Sequence, residues 1–174
     1  MDVFEAISSR RSVRDYLDKK IPKADIERIL RAAVQAPSAR HVLPWKFIGI
    51  EDKKKQDRLG ELALKRHASG SVRDLHGKNL FHDAPLVILI ACEEGGKWFK
   101  EDAALAAENA FLAARALGIG SCFIGLAHAL NESEEELREA GVPPKHKIFA
   151  ALAFGYPKAW PPAEKREPNI ISWA

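Results

Sequence analysis

Apolar residues recur at helical spacing in five stretches of the chain. These stretches begin after Asp2, at Ile21-Pro22, at Lys53, at Glu101 and at Ser133. Asp2 and Ser133 are residue types that cap helix N-termini, and the glutamate three residues after Ser133 is typical of a capping box. The stretch Glu101–Leu117 is apolar almost all round, which predicts a central and buried helix.

Four further stretches have the composition of strands. They are Trp45–Ile50, Pro85–Cys92, Ile119–Gly125 (a short strand or a glycine-lined turn) and Lys147–Gly155. The second is a near-continuous apolar run, which indicates a strand buried on both faces. The polar segment 68–83 is predicted to be a loop or broken helix. Because helices and strands mix irregularly, the pattern favours an α+β sandwich over strict βαβ repetition.

Composition restricts the class of protein. The 174 residues fit one domain, 1–174, and 47% apolar content is enough for a core. A net charge of +3 without a basic stripe argues against nucleic-acid binding. The longest apolar run is too short to span a bilayer and the N-terminus lacks signal-peptide features, so we expect a cytoplasmic protein without membrane contact. Cys92 and Cys122 are predicted to be buried thiols, and histidine spacing indicates no metal site.

The densest chemistry lies in Arg10-Arg11-Ser12-Val13-Arg14. Guanidinium groups match phosphate bidentately, and the hydroxyl of Ser12 adds a further hydrogen-bonding group. The alternative is a basic helix end facing water, where cations also favour the helix dipole. A second basic spot, Lys165-Arg166, follows a proline-rich segment that starts at Tyr156. The apolar tail beyond it must bury against this chain's own surface or against a partner subunit.

Other catalytic arrangements are weakly supported. Gly118-Ile119-Gly120 follows a helix and has Phe123 where a dinucleotide fingerprint needs glycine. The Ser121-Cys122 pair lacks a nucleophile elbow, and the chain contains no Gly-x-Ser-x-Gly sequence. His41 and His128 are acid or base candidates or surface groups, while Trp45 and Trp98 are stacking platforms or core residues. This combination suits a protein that binds a phosphorylated cofactor and uses the cofactor's chemistry.

Five ordered landmarks resemble the FMN-dependent nitroreductase family. They are Arg10–Tyr16, Ala36–Pro37–Ser38 running to Phe47, Asp83–Ala84–Pro85, Ala104–Gly120, and Gly155–Tyr156–Pro157 followed by Arg166–Glu167–Pro168. The resemblance implies an α+β homodimer with a mixed sheet surrounded by helices, exchanged C-terminal arms and two FMN sites at the interface. It also implies ping-pong transfer of hydride or electrons from NADH or NADPH to a small acceptor such as a nitroaromatic or quinone.

The resemblance also assigns residues to the flavin site. Arg10, Ser12 and Arg14, with Arg11 alongside, would hold the ribityl-phosphate end and the pyrimidine edge, and Arg166 would return to the phosphate. Phe123, Ile124 and Gly125 would present backbone to the isoalloxazine ring, with the Gly125 amide near N5. Pro37, Ser38 and Ala39 would come from the other subunit. Lys78 and Asn79 are further candidates for the pyrimidine edge.

Two departures concern the loop that contains Ser38. The family usually has asparagine and glutamine where this chain has His41 and Leu43; His41 can still donate to a flavin, whereas Leu43 cannot. Three alternatives therefore stay open. One is specialised flavin chemistry, such as dehalogenation or flavin-fragmenting synthesis. The second is a non-catalytic flavin sensor or storage protein, and the third is a small basic binding module without a cofactor.

Overall fold

The computed structural model describes residues 1–66, 75, 77–163 and 166–167. Its regular elements are α1 (Val3–Ser9), α2 (Lys23–Ala33), β1 (Lys46–Ile50), α3 (Lys53–Arg66), β2 (Leu86–Glu93), α4 (Phe99–Ala116), β3 (Gly120–Phe123), α5 (Glu134–Ala140) and β4 (His146–Gly155). Short 3-10 segments cover Ala39–His41 and Gly125–Glu132. Half of the predicted 68–83 loop (68–74 and 76), Lys165 and the apolar tail lie outside the described residues.

The four strands form one antiparallel sheet in the order β1-β2-β4-β3. This arrangement confirms the α+β class. A mixed sheet contains parallel as well as antiparallel strand pairs. Among the described residues, the one parallel pairing is the isolated bridge between Ser12 and Ser121. The N-terminal segment therefore lies against the β3 edge of the sheet without forming a regular strand there.

Helix ends follow the predicted capping chemistry. The Asp2 carboxylate accepts the Glu5 amide at 2.9 Å at the start of α1. The Ser133 hydroxyl accepts the amide of Glu136 at 3.4 Å at the start of α5. That helix ends at Gly141, whose φ of +90° is readily adopted by glycine. These local interactions fix where the two short helices begin and end.

Helices cover both faces of the sheet. Helices α2 and α4 pack on one face, and α3, α5 and the 125–132 segment pack on the other. Strand β2 is buried at every position except Glu93, which confirms the prediction of a strand covered on both faces. Trp45 lies in the core at 7% exposure, and Cys92 and Cys122 are buried free thiols, as predicted.

The all-round burial predicted for α4 is only partly correct in the isolated chain, and α1 is also largely exposed. In α4 the side chains toward the sheet are buried, but Leu105 is 45% exposed. In α1 only Ala6 is buried, and Val3 and Ile7 are exposed. Alanine suits both buried and exposed helix faces, so the alanine-rich pattern of α4 does not mark the exposed side. Both helices thus present apolar side chains outward.

Side chains complete the hydrogen bonding of β4 where β3 ends. Asn131 accepts the amide of Ile148 at 2.7 Å and donates to the carbonyl of the same residue at 2.8 Å. His128 bonds the carbonyl of Phe149 through Nε2 at 2.9 Å. The 125–132 segment is thereby fixed along the sheet edge. No helix among the described residues has the length and hydropathy that a membrane span requires.

Candidate functional site

The arginine segment is held beside β3 by backbone contacts. The amide of Val13 donates to the carbonyl of Ser121 at 2.9 Å, and Ser12 forms the isolated bridge with the same residue. The buried hydroxyl of Tyr16 donates to the Val13 carbonyl at 2.6 Å. A Cβ on Gly120 would lie 2.8 Å from the Val13 side chain, so the close approach requires glycine at that position.

Two guanidinium groups of this segment act on the same part of β3. Burial raises the pKa of the Cys122 thiol, and the charges of Arg14 and Arg10 oppose that rise. Arg10 lies 5.9 Å over the ring of Phe111 and 3.5 Å from a carboxylate oxygen of Glu108. The exposed Arg14 makes a 3.3 Å contact with the carbonyl of Ser12, and no ion pair is formed by it among the described residues. The backbone contacts of Ser12 and Val13 with Ser121 thus set the segment that carries both arginines beside β3.

Arg11 has a different environment. Its guanidinium donates to the carbonyls of Ser8 at 2.9 Å and Pro162 at 3.3 Å. The second contact fixes the start of the proline-rich arm, and the guanidinium of Arg115 lies 3.9 Å from the ring centroid of Trp160 nearby along that arm. Arg11 thus connects the end of α1 to the arm, and Arg166 farther along is exposed.

A second cation lies next to Arg14. The ammonium of Lys78 donates to the Arg14 carbonyl at 2.9 Å and to the carboxylate of Asp15 at 2.7 Å. Hydrogen bonds from Lys78 and then from Lys158 hold the pKa of Asp15 below its ordinary value. Lys78 is therefore placed at the arginine segment, as the sequence suggested.

The neighbouring Asn79 is committed to the structure of its own turn. Its amide donates to Asp57 at 2.7 Å, and its oxygen accepts the amides of Phe81 and Asp83 at 2.9 and 3.0 Å. These contacts use the side-chain oxygen of Asn79 and one of its two amide N–H donors within the fold. The turn places His82, at a φ of +59°, within electrostatic reach of Arg14 and Lys78. Burial first, and then those two positive charges, lower the pKa of His82 to about 4.

The end of β3 presents the residues predicted to face a flavin ring. Ile124 is buried and donates its amide to the carbonyl of Ala151 at 2.8 Å, which fixes the backbone at this turn. Phe123 is 41% exposed, and Gly125 is exposed with open space where a Cβ would be. The backbone at Gly125 is therefore open to a flat ligand.

A cavity of about 430 Å³ opens beside Phe123. Its lining consists of Lys100, Ala104, Phe123, His128, Asn131, Ile148 and Phe149. The rings of Phe123 and His128 meet edge to face, with centroids 6.2 Å apart. The described residues contain no cluster of three or more histidine, cysteine or acidic side chains suited to a metal ion.

The loop of residues 38–43 has an unusual backbone. Arg40, His41 and Leu43 have φ values of +53°, +57° and +49°. For residues with a Cβ this region costs about 1–2 kcal/mol each. The hydroxyl of Ser38 accepts the Leu43 amide at 3.0 Å and closes the loop on itself. The Ala39 amide donates to Oδ1 of Asp102 on α4 at 2.9 Å.

Within one chain, the structure does not bring the 38–43 loop to the arginine segment. The loop is bound near the N-terminal end of α4 by Asp102, whereas Arg10 contacts the same helix at Glu108 and Phe111. At 1.5 Å per residue, Asp102 and Phe111 are separated by roughly 13 Å along the helix axis. The loop that contains Pro37, Ser38, Ala39 and His41 therefore contacts a different part of α4 from Arg10.

The described residues suit an anionic, flat cofactor such as FMN. Arg10 and Arg14 supply charge beside β3, and Gly120 keeps that approach tight. The open backbone at Gly125 gives a planar ring access to an amide-bearing turn.

Comparison with known proteins identifies the chain. The model of the Nitroreductase family matches residues 7–156. The chain belongs to this family. A crystal structure of a nitroreductase from Bacteroides fragilis with bound FMN superposes with a TM-score of 0.89, at 31% identity, covering 100% of this chain and 99% of the other.

Two curated relatives extend the comparison. A protein of Methanothermobacter thermautotrophicus, provisionally named as an NADH dehydrogenase/NAD(P)H nitroreductase, is 34% identical over 163 residues, covering 90% of this chain and 78% of that protein. The iodotyrosine deiodinase of Thermotoga neapolitana is 22% identical over 184 residues and covers 98% of this nitroreductase-family chain and 97% of its own length. The family recognised from sequence landmarks is confirmed.

Sequence reasoning missed Asp102, which accepts the Ala39 amide of the 38–43 loop. Its position four residues before Ala106 places it on the buried stripe of α4, where a carboxylate is unexpected. That conflict between an apolar stripe and a charged residue was the available signal. The left-handed backbone of the 38–43 loop had no comparable signal, because it contains no glycine.

Proposed function

We propose that this nitroreductase-family protein is an FMN-dependent oxidoreductase that uses NAD(P)H, and that it works as a homodimer, each subunit one domain of residues 1–174. Bound FMN supplies the chemistry, the transfer of hydride or electrons from NADH or NADPH to a small acceptor such as a nitroaromatic or quinone. The observation that carries the proposal is the backbone pairing of Ser12 and Val13 with Ser121, which sets the arginine segment beside β3 in a member of this family.

The residues of the chain bind and orient the cofactor in this proposal. Arg10, Ser12 and Arg14 hold its phosphate end and pyrimidine edge, with Lys78 supporting Arg14 through its carbonyl. Arg11 lies alongside these residues, and Arg166 is proposed to return to the phosphate. The positive charge of Arg14 favours the arrival of electrons at a nearby ring.

The ring itself is proposed to lie against the turn after β3. Phe123, Ile124 and Gly125 present backbone there, with the Gly125 amide as the donor toward N5. The bond from Ile124 to the Ala151 carbonyl keeps that turn rigid, so the donor is in place before the ligand arrives.

The second subunit contributes the 38–43 loop. Pro37, Ser38, Ala39 and His41 belong to the loop that Asp102 contacts, whereas Arg10 contacts α4 at Phe111, farther along the same helix. Exposed apolar residues on α1 and α4, among them Phe4 at 80% exposure and Leu105, provide surface for such a dimer. The exchanged C-terminal arm remains part of this proposal.

The first experiment is the visible spectrum of the purified protein, before and after reconstitution with FMN, followed by anaerobic addition of NADH or NADPH. Flavin absorbance that bleaches with either nucleotide and returns on addition of a nitroaromatic or quinone supports the proposal. Bound FMN that stays oxidised favours a sensor or an electron donor such as ferredoxin. Failure to bind added FMN contradicts the central proposal.

Reductive dehalogenation is the second candidate. It is favoured by the match to the iodotyrosine deiodinase over nearly the full length of both chains. Iodide release from an iodinated tyrosine under reducing conditions, with slow turnover of nitroaromatics, would favour this function. Brominated or chlorinated tyrosines in place of the iodinated one then show which carbon–halogen bonds the site can cleave.

A further inference from the structure

Asp102 is a buried carboxylate with one unsatisfied oxygen. Its residue is 2% exposed on α4, on the face that packs toward the sheet. Oδ1 accepts the amide of Ala39 at 2.9 Å, whereas Oδ2 has no hydrogen-bond partner among the described residues. Burying a carboxylate is costly, and a buried unpaired polar atom needs an explanation beyond packing.

The loop that Asp102 contacts is strained and is otherwise bonded only to itself. The amides of His41 and Leu43 bond to Ser38, and the amide of Val42 bonds to the Ala39 carbonyl at 3.3 Å. In the part of the chain that the structure describes, the bond to Asp102 is the one hydrogen bond from this loop to another element. Three left-handed residues without a glycine persist only where surrounding contacts enforce them.

The Cys92 thiol lies within electrostatic reach of this carboxylate. Burial, and then the charge of Asp102, raise the pKa of Cys92 to about 12. Among the described residues, the Ala39 amide is the one hydrogen-bond partner of the Asp102 side chain.

The loop displays its side chains away from the protein. Arg40, His41, Val42 and Leu43 are exposed, with Val42 at 56% and Leu43 at 42%. An exposed loop with a fixed, strained backbone presents these groups in one orientation. Such preorganisation lowers the ordering cost of contacting another surface.

We propose that Asp102 is a positioning residue, which holds the 38–43 loop in the conformation that completes the flavin site of the partner subunit. This inference rests on the proposed function. The carboxylate does not touch the cofactor; it acts through the Ala39 amide. Without that anchor the loop populates other conformations. The apparent affinity for FMN then falls in proportion to the fraction of molecules whose loop is in the binding conformation.

The test compares Asp102→Leu with Asp102→Asn. Leucine has the same branching at Cγ as aspartate but cannot accept the Ala39 amide. Asparagine keeps an oxygen that can accept the Ala39 amide. Glu101→Gln is the matched control, because Glu101 is an exposed acid one residue away on the same helix.

Three measurements are made on each variant: amide hydrogen exchange at Ala39 and Leu43, the rate of trypsin cleavage after Arg40, and the dissociation constant for FMN. We expect Asp102→Leu to speed exchange and cleavage and to raise the FMN dissociation constant about tenfold. Asp102→Asn and Glu101→Gln stay near wild type. Denaturant unfolding of each variant measures global stability, which we expect to stay similar to that of the wild type.

Each other outcome contradicts a defined part of the inference. Unchanged hydrogen exchange at the Ala39 amide in Asp102→Leu would show that Asp102 does not hold the loop. Faster exchange at Ala39 with unchanged FMN affinity would show that Asp102 holds the loop but that the loop conformation does not affect the flavin site. Equal loss of stability in Asp102→Leu and Asp102→Asn assigns Asp102 to folding alone. Failure of the wild type to bind FMN is a failure of the proposed function, and it is seen before any variant is compared.

Discussion

Val13 donates its amide to the carbonyl of Ser121 at 2.9 Å, and this bond places the arginine segment at the edge of the sheet. The segment carries no regular secondary structure of its own at this point. Its position depends on backbone contact with β3 and on the missing side chain of Gly120. Binding chemistry at the edge is therefore linked to sheet packing.

Gly120→Ala should separate the two segments. The added Cβ would lie 2.8 Å from Val13, so we expect a loss of about 1–3 kcal/mol in the free energy of unfolding, together with weaker FMN binding. Gly49→Ala is the control, because the nearest atom to its added Cβ is 4.0 Å away. Denaturant titration and flavin titration measure the two effects. Unaltered FMN affinity in Gly120→Ala would contradict the link.

Arg14→Ala tests the assignment of the phosphate or pyrimidine contact. Removing one charge-assisted hydrogen bond costs about 1–3 kcal/mol, which raises the dissociation constant for FMN roughly 5- to 150-fold. Isothermal titration or flavin fluorescence quenching measures it. Arg28→Ala provides a comparison, because Arg28 is exposed on α2 and pairs with Asp25. An equal effect of both substitutions would indicate general electrostatics in place of a specific contact.

The elements with local signals were predictable from the sequence. Helices α1, α3 and α5 begin where Asp2, Lys53 and Ser133 predicted, because caps and apolar spacing are local properties. The apolar run that forms β2 was equally clear. Segment 10–14 was recognised as a binding segment because its charge density is visible in any conformation.

What the sequence did not reveal depends on tertiary contacts. The left-handed backbone at Arg40 and His41 is enforced by the Ser38 hydroxyl and by Asp102, a residue more than sixty positions away. The commitment of Asn79 to its own turn likewise emerges only once the turn is folded. Nothing in one-dimensional spacing predicts which polar side chain is used internally.

His82 should make stability depend on pH. Its pKa is about 4 in the folded protein and 6.5 in the unfolded chain, so the unfolded state binds more protons between these values. The contribution of neutral His82 to the free energy of unfolding is therefore fully present above pH 6.5. It is lost as the pH falls toward 4. From these two pKa values, the free energy of unfolding should fall by about 2 kcal/mol between pH 7 and pH 5. Because His82 is partly exposed, we expect the loss to be about 1 kcal/mol.

The measurement is denaturant unfolding at pH 7 and pH 5 for the wild type and for His82→Asn. Asparagine accepts the left-handed backbone at this position and does not titrate. We expect the free energy of unfolding of the variant to fall less between the two pH values by about 1 kcal/mol. Parallel decreases in both proteins would assign the acid sensitivity to other groups.

A mixed dimer of Arg14→Ala and Asp102→Leu subunits tests whether the 38–43 loop serves the partner. If it does, one site combines both defects and the other combines the intact arginine of one chain with the intact loop of the other. The mixed dimer, isolated with two different affinity tags, then binds one FMN per dimer with wild-type affinity. If each loop served its own chain, both sites would carry one defect and neither would bind tightly. Since Arg10 and Asp102 contact α4 in regions separated along its axis, we expect one tight site per mixed dimer.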